Sequence, residues 1–284
     1  MQTPELFSKD SHEKKVYDFY IPGVDRFGDF HGGYLNFGYW EDGVHDYVTA
    51  AERLIERLGE MLHLTSESKL LDVACGMGPQ DVYLARKFPV GSIDALDLLP
   101  EHLEHASRRV REAGLQDRIE FHQGTATKLP FPDTSFTHVL SVEGLIHFNT
   151  RSMFFRECHR VLKPGGRVVF ADYVGKREPR TALDRALLKL VTKVWHIPFE
   201  NVASPRQYQE QLERLGFDEV RVHCVGDRVI PGYCREQARP ECIAELTRIR
   251  GFFAGRVGHI VDIIVDLSFR WQLIDYVLVE GRKR

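Results

Sequence analysis

The run Leu70-Leu71-Asp72-Val73-Ala74-Cys75-Gly76-Met77-Gly78 leads an apolar stretch through two glycines into a helical pattern. Glycines at such a junction let backbone approach a ligand closely, and the helix start adds amide donors. Asp97 follows Gly78 by 19 residues, at the end of the next apolar run. An acid at that distance suits a two-oxygen grip on ribose hydroxyls. The pair therefore points to a nucleoside-containing cofactor. A dinucleotide fingerprint would add a third small residue, but Pro79, Gln80 and Asp81 follow Gly78. Asp72, inside the strand, suits a cationic group or the ordering of the loop better than a pyrophosphate.

Two further polar constellations end apolar runs. One is Ser141-Val142-Glu143-Gly144-Leu145-Ile146-His147, and the other is Ala171-Asp172-Tyr173. Ligands bind at the carboxyl ends of parallel strands, so both fall where chemistry belongs. An unperturbed histidine titrates near pH 6.5, so His147 is available as a neutral base.

These residues need strands and helices to hold them. Short apolar runs predict strands at Lys69–Ala74, Ser92–Leu98, Ile119–Gln123, Phe136–Val142 and Arg167–Tyr173, with closing strands at Val220–Val225 and Gln272–Val279. Apolar residues three or four apart predict helices from Val44 to Leu62, Gln80 to Phe88, Pro100 to Ala113, Ser152 to Leu162 and Thr181 to Trp195. Another helix runs from Ser204-Pro205 to near Gly216, and Ile243–Leu267 is largely helical. Lys163-Pro164-Gly165-Gly166 predicts a turn. Strand–helix alternation with apolar strands means a parallel sheet covered on both faces. The fold class is α/β, with inserts after Tyr173 forming a helical cap. Residues 1–284 form one catalytic domain: a cover (1–62, its first dozen residues frayed), a cofactor-binding core (63–173) and a cap with closing strands (174–284). Glycines interrupt the aromatic segment Val16–Gly43, which holds Tyr17, Phe19, Tyr20, Phe27, Phe30, Tyr34, Phe37, Tyr39 and Trp40, too often for a long helix.

Composition narrows the function classes. Lys plus Arg number 38 against 41 Asp plus Glu, a net charge of -3, which argues against a dedicated nucleic-acid binder. No apolar run reaches the roughly 18–20 residues of a membrane span, and Met1–Lys15 lacks an apolar signal core. Cys75, Cys158, Cys224, Cys234 and Cys242 are scattered, which reads as free thiols in a cytoplasmic setting. A zinc site from Cys224, Cys234 and Cys242 fits no common ligand spacing, so no metal is expected.

With Asp72, Cys75, Gly76 and Gly78 in place, the chain resembles the class I S-adenosylmethionine-dependent methyltransferases. Ala74 stands where that family usually has its first glycine. Asp97-Leu98 matches the ribose-binding acid and its adenine neighbour. Gln123-Gly124-Thr125-Ala126 sits where the family often has Gly-Asp-Ala, with Thr125 replacing the acid that holds the adenine amine. Leu129-Pro130-Phe131, Ser135-Phe136 and Arg160 to Gly166 continue the match, which covers Leu70 to Tyr173. The resemblance implies a Rossmann-like seven-stranded sheet with an antiparallel last strand, and S-adenosyl-L-methionine as cofactor.

Tyr34-Leu35-Asn36-Phe37-Gly38-Tyr39-Trp40 is similar to the aromatic segment that precedes the core in small-molecule and lipid methyltransferases, among them tocopherol, sugar and macrolide O-methyltransferases and sterol C-methyltransferases. There it covers the methionine end of the cofactor, which places Tyr39 at that site. In the similar sugar enzymes a His and an Asp act on the acceptor hydroxyl. These map onto His147 as base and Asp172 as its orienting partner, with Glu143 orienting His147 or binding acceptor. Tyr20, Tyr34, Trp195, Phe199 and Tyr208 would line a largely apolar pocket for a small-molecule acceptor. O-methylation leads. Carbon methylation of an isoprenoid or aromatic ring, with Glu143 and cap aromatics stabilising a cation, and N-methylation follow. A nicotinamide oxidoreductase and a non-catalytic cofactor-binding module share the loop but not the whole run of motifs.

Overall fold

The computed structural model describes residues 11–21, 24 and 30–284. Phe27 of the aromatic segment, and the expected fraying of the first dozen residues apart from Ser11 and His12, lie outside the described residues.

Seven strands form one sheet: β1 (Lys69–Val73), β2 (Ser92–Asp97), β3 (Ile119–Gln123), β4 (Phe136–Val142), β5 (Leu162–Gly175), β6 (Phe217–Cys224) and β7 (Ile274–Lys283). Their order is β3-β2-β1-β4-β5-β7-β6. The first five pair in parallel, and β7 alone runs against its neighbours, between β5 and β6. The expected antiparallel last strand is β7, buried inside the sheet.

Helices cover both faces because each strand alternates its apolar side chains. On β5, Val168 and Phe170 join a core with Phe154 and Phe155, while Val169, Ala171 and Tyr173 join another with Leu54, Ile55 and Leu58. In chain order the helices are α1 (His12–Tyr20), α2 (Tyr47–Leu62), α3 (Pro79–Lys87), α4 (Pro100–Ala113) and α5 (Arg151–Val161). They continue as α6 (Ala182–Val194), α7 (Pro205–Arg214), α8 (Gly226–Gln237), α9 (Pro240–Arg250) and α10 (Phe252–Arg270). Asp46 caps α2 by accepting from the Thr49 amide at 2.9 Å, so that helix starts at Tyr47 rather than Val44.

Among the described residues the glycine-punctuated segment holds no long helix; the short α1, capped by Ser11, ends at Tyr20 before the glycines begin. Two local expectations are corrected. No helix was expected over 226–237, a stretch that holds Gly226, Pro231 and Gly232. There α8 packs so closely on Trp40 that a side-chain carbon at Gly232 would lie 2.1 Å from Trp40 Cγ, so packing overrides propensity. The turn expected at 163–166 becomes an irregular start to β5. Leu162 pairs with Phe136, Gly165 takes φ 77°, and the register shifts before Arg167 meets His138.

The connection after β4 carries His147, and the cap holds it in place. Asn201 Nδ2 donates to the Leu145, Ile146 and Phe148 carbonyls at 3.3, 3.0 and 2.7 Å, and Asn201 Oδ1 accepts from the Arg151 amide at 2.9 Å. Replacing Asn201 with Ala should cost about 2–3 kcal/mol in urea unfolding, because buried carbonyls lose their donor. A loss near zero would mean that the connection holds its own shape.

Candidate active site

The glycine turn is built by left-handed backbone. Ala74, Gly76 and Gly78 have φ of 65°, 57° and 75°. Ala74 therefore adopts the conformation that a glycine takes more readily there. Its Cβ leaves no room opposite, since a carbon on Gly144 would come within 2.5 Å of it. The turn spends its amides on the protein. Ala74 and Cys75 donate to the Leu96 carbonyl at 2.8 and 3.1 Å, and Gly76 donates to Asp97 Oδ2 at 2.9 Å. The Gly78 amide likewise donates to the Cys75 carbonyl at 3.2 Å, so these four amides are already used within the protein.

Asp97 is fixed from several sides. Besides Gly76, the Leu99 amide donates to Oδ1 at 2.9 Å, and His102 Nδ1 lies 3.2 Å from the same oxygen. Burial raises the pKa of this carboxyl, but His102 and the two amides outweigh burial and hold it below the usual range. A carboxylate has about four acceptor directions, so with three taken about one remains for a ribose hydroxyl. Beneath the turn, Asp72 accepts from Gln80 at 2.6 Å and is buried beside Asp81. Burial pushes both acids up, Asp72 to about 6, and their mutual repulsion favours one shared proton. Asp72 thus orders the turn from below rather than facing the cavity.

A cavity of about 690 Å³ opens over the carboxyl ends of the strands. Ala74, Cys75, Gly76, Asp97, Leu98, Thr125 and Ala126 line one part of it. Tyr20, Tyr34, Glu143, His147 and Trp195 also line it. Gly78 supports from behind, where a side-chain carbon would clash with Ala106 Cβ at 2.8 Å.

Glu143, at φ 59°, is a buried carboxylate with three donors. Its Oε1 accepts from the Phe37 amide at 2.7 Å and the Tyr276 hydroxyl at 2.8 Å. Its Oε2 accepts from the Tyr173 hydroxyl at 2.9 Å. Burial pushes its pKa up to about 7 against those donors. His147 Nε2 lies 3.1 Å from the Tyr20 hydroxyl of α1, and burial lowers its pKa to about 4, with the Trp195 backbone opposing. His147 is thus neutral and covered.

Besides Asp72 and Gly78, four expected site residues lie outside the cavity lining. Asp172 is fully buried on the α5 face, paired with Arg151 at 2.8 Å. The reason is strand parity: Asp172 shares its side with Val168 and Phe170, whereas Tyr173, one residue later, reaches the cavity. No His147–Asp172 pair forms. Tyr208 is buried against the Arg151 guanidinium, 4.8 Å away. Phe199 is 80% exposed. Tyr39 is held by the Ala50 carbonyl and covered by Arg57, outside the cavity wall. Sequence reading passed over His102, one helical turn past the Asp97-Leu98 pair. It also passed over Tyr173 and Tyr276 as Glu143 donors. Tyr173's parity was readable, but Tyr276 meets it only through the β5–β7 register.

Comparison with known proteins decides the class. The methyltransferase-domain family matches residues 71–170. The chain is 34% identical over 259 residues to erythromycin 3''-O-methyltransferase of Saccharopolyspora erythraea, covering 89% of this chain and 84% of that one. The chain belongs to the class I S-adenosylmethionine-dependent methyltransferases. The 27-O-demethylrifamycin SV methyltransferase of Amycolatopsis mediterranei is 30% identical over 228 residues, covering 78% of this methyltransferase and 82% of the relative. Among solved structures, the [4+2]-cyclase SpnF is 26% identical with a TM-score of 0.73, covering 95% and 94% of the two chains. Among the described residues, no helix of the methyltransferase is long and apolar enough to cross a membrane.

Two outcomes follow. Asp97→Ala should weaken S-adenosylhomocysteine binding by about 10-fold or more in calorimetry, through lost charge-assisted hydrogen bonds; an affinity within twofold would remove Asp97 from the site. Glu143 keeps a proton in the folded state up to about pH 7 that the unfolded chain loses near 4.5. Its contribution to stability therefore falls as pH rises through that window. Melting curves should show Glu143→Gln gaining on the wild type between about pH 5 and pH 8, and a pH-independent difference would contradict the raised pKa.

Proposed function

We propose that this methyltransferase acts on a hydroxyl of a partly apolar natural product, with His147 as base. The observation that carries the reading is a neutral imidazole on a cavity wall shared with Tyr20, Tyr34 and Trp195, its Nε2 3.1 Å from a hydroxyl, that of Tyr20. An acceptor hydroxyl would take the place of the Tyr20 hydroxyl. The named activities of the relatives, O-methylation of erythromycin and of a rifamycin, support an acceptor of the macrocyclic kind.

S-adenosylmethionine supplies an electrophilic methyl group, held by the Ala74–Gly76 turn, Asp97-Leu98 and Thr125-Ala126. The protein's own task is to orient the acceptor, exclude water and receive one proton. A base with a pKa of about 4 cannot ionise a free alcohol. It can take the proton from an oxygen made acidic by its new bond, so proton transfer comes late. Phe37, Tyr173, Trp195 and Tyr233 give the wall its apolar character, with Phe37 stacked on Tyr233 at 3.6 Å.

Glu143 favours a second reading, methyl transfer to carbon. A buried carboxylate among Phe37, Tyr173 and Trp195 suits a cationic intermediate on an isoprenoid or aromatic acceptor. Product analysis by mass and NMR separates O- from C-methylation.

Replacing His147 with Ala should lower kcat by about 10²–10⁴ and leave S-adenosylhomocysteine affinity nearly unchanged. With His147 as base, kcat should stay flat from about pH 5.5 upward. An acid limb near pH 7 that disappears in Glu143→Gln would transfer the proton to Glu143 and overturn the assignment.

A further inference from the structure

His31, Glu236 and Cys242 come from three separate parts of the chain and meet at one point. Their ligand atoms all lie within 4.8 Å of one another. Cys242 Sγ is 3.6 Å from Glu236 Oε1 and 3.9 Å from His31 Nε2. Around a tetrahedral zinc, with Zn–S about 2.3 Å and Zn–N or Zn–O about 2.0–2.2 Å, neighbouring ligand atoms stand about 3.5 Å apart. The observed spacings are close to those edges. Without an ion the Cys242 thiol donates to Glu236, and the His31 ring nitrogen lies at the outer limit of a contact with the same sulfur.

Each group is held in place. His31 stacks between Phe30, at 3.8 Å between ring centres, and Tyr47, at 3.9 Å, which fixes its ring plane. Its backbone is left-handed, φ 53°, an uncommon conformation for a side-chain-bearing residue. Cys242 is buried at 5% exposure near the start of α9. A divalent cation would bind it as the thiolate. Glu236 also pairs with Arg239 at 3.2 Å, but that arginine is 52% exposed and free to turn to water.

We propose that His31, Glu236 and Cys242 form a zinc site. Imidazole, carboxylate and thiolate together are the borderline-soft donor set that Zn²⁺ prefers. Three protein ligands leave a fourth position, and His31 and Gln237 line the cavity beside it, so that position is open to water or to a polar group of a bound molecule. Binding forms a Zn–S bond and releases the thiol proton to solvent, with no change in oxidation state. The ion would join the segment before α2 to the α8–α9 turn, 211 residues away in the chain, closing the cover onto the cap. This site is distinct from the Cys224, Cys234 and Cys242 set. Cys224 is exposed, and Cys234 Sγ donates to the Asp262 carbonyl at 3.5 Å.

The test is titration of the full-length protein, stripped of metal, with Zn²⁺ alone and separately with Co²⁺. One Zn²⁺ should bind per chain and raise the melting temperature. Co²⁺ should give a thiolate-to-cobalt charge-transfer band. Cys242→Ser should abolish that band, and Glu236→Gln, which keeps shape, should weaken Zn²⁺ binding by about 10-fold or more. Cys224→Ser should change neither. No Zn²⁺ uptake by the wild type would overturn the proposal. So would a cobalt–thiolate band that survives Cys242→Ser or vanishes in Cys224→Ser, or unchanged Zn²⁺ affinity in Glu236→Gln.

Discussion

Burial of the Arg151 guanidinium, at 1% exposure, constrains the acceptor side of the site. A cation inside protein is tolerated only when carbonyls and an anion replace its water. Here the Asn201 carbonyl accepts at 2.6 Å, the Tyr173 carbonyl at 3.1 Å, Asp172 supplies the charge at 2.8 Å, and the Tyr208 ring covers one side. Those partners come from the end of β5, the turn before α7 and α7 itself. Satisfying one arginine therefore fixes the connection after β4, which carries His147, relative to the strand end that carries Tyr173. Desolvation still raises Asp172 to about 6, so the pair's worth lies in position more than in stability.

The cofactor side rests on a second anion treated oppositely. Asp97 and Glu143 are both buried carboxylates with several donors. Asp97 has His102 beside it and is held below the usual range, whereas Glu143 receives only neutral donors and rises to about 7. A nearby basic ring, not burial, separates a permanent anion suited to ribose from a carboxyl that titrates near neutrality. His147 lies at the other extreme, pushed to about 4 by burial, with His12 and His196 nearby adding to the fall. Had Asp172 reached it, its basicity would rise. The parity of β5 prevents that.

Much of this was legible in residue order. Strand boundaries for β3 and β4 follow directly from short apolar runs, and Gly76 and Asp97 lie at the cavity because turn chemistry is local. The alternation of strand and helix was sufficient for a covered parallel sheet. The misplaced residues share a cause. Asp172 and Tyr208 were assigned from likeness or aromatic character, but which face a side chain takes depends on pairing register and on what helix covers it. Helix α8 was missed because Pro231 and Gly232 oppose helix locally, and Trp40, some 190 residues earlier, supplies the compensating contact.

The sequence by itself determined the class of chemistry: a glycine turn, an acid on the next strand and a run of motifs that bind the methyl donor. These are short-range features, set by backbone sterics and by residues within about one strand–helix unit of each other. Only the tertiary structure decided the acceptor side. It brought Phe37, Tyr173 and Tyr276 onto Glu143, laid Tyr20 over His147, turned Asp172 inward to Arg151 and joined His31 to Cys242. Those contacts join residues tens to hundreds of positions apart, and their energies depend on burial, which no local pattern encodes.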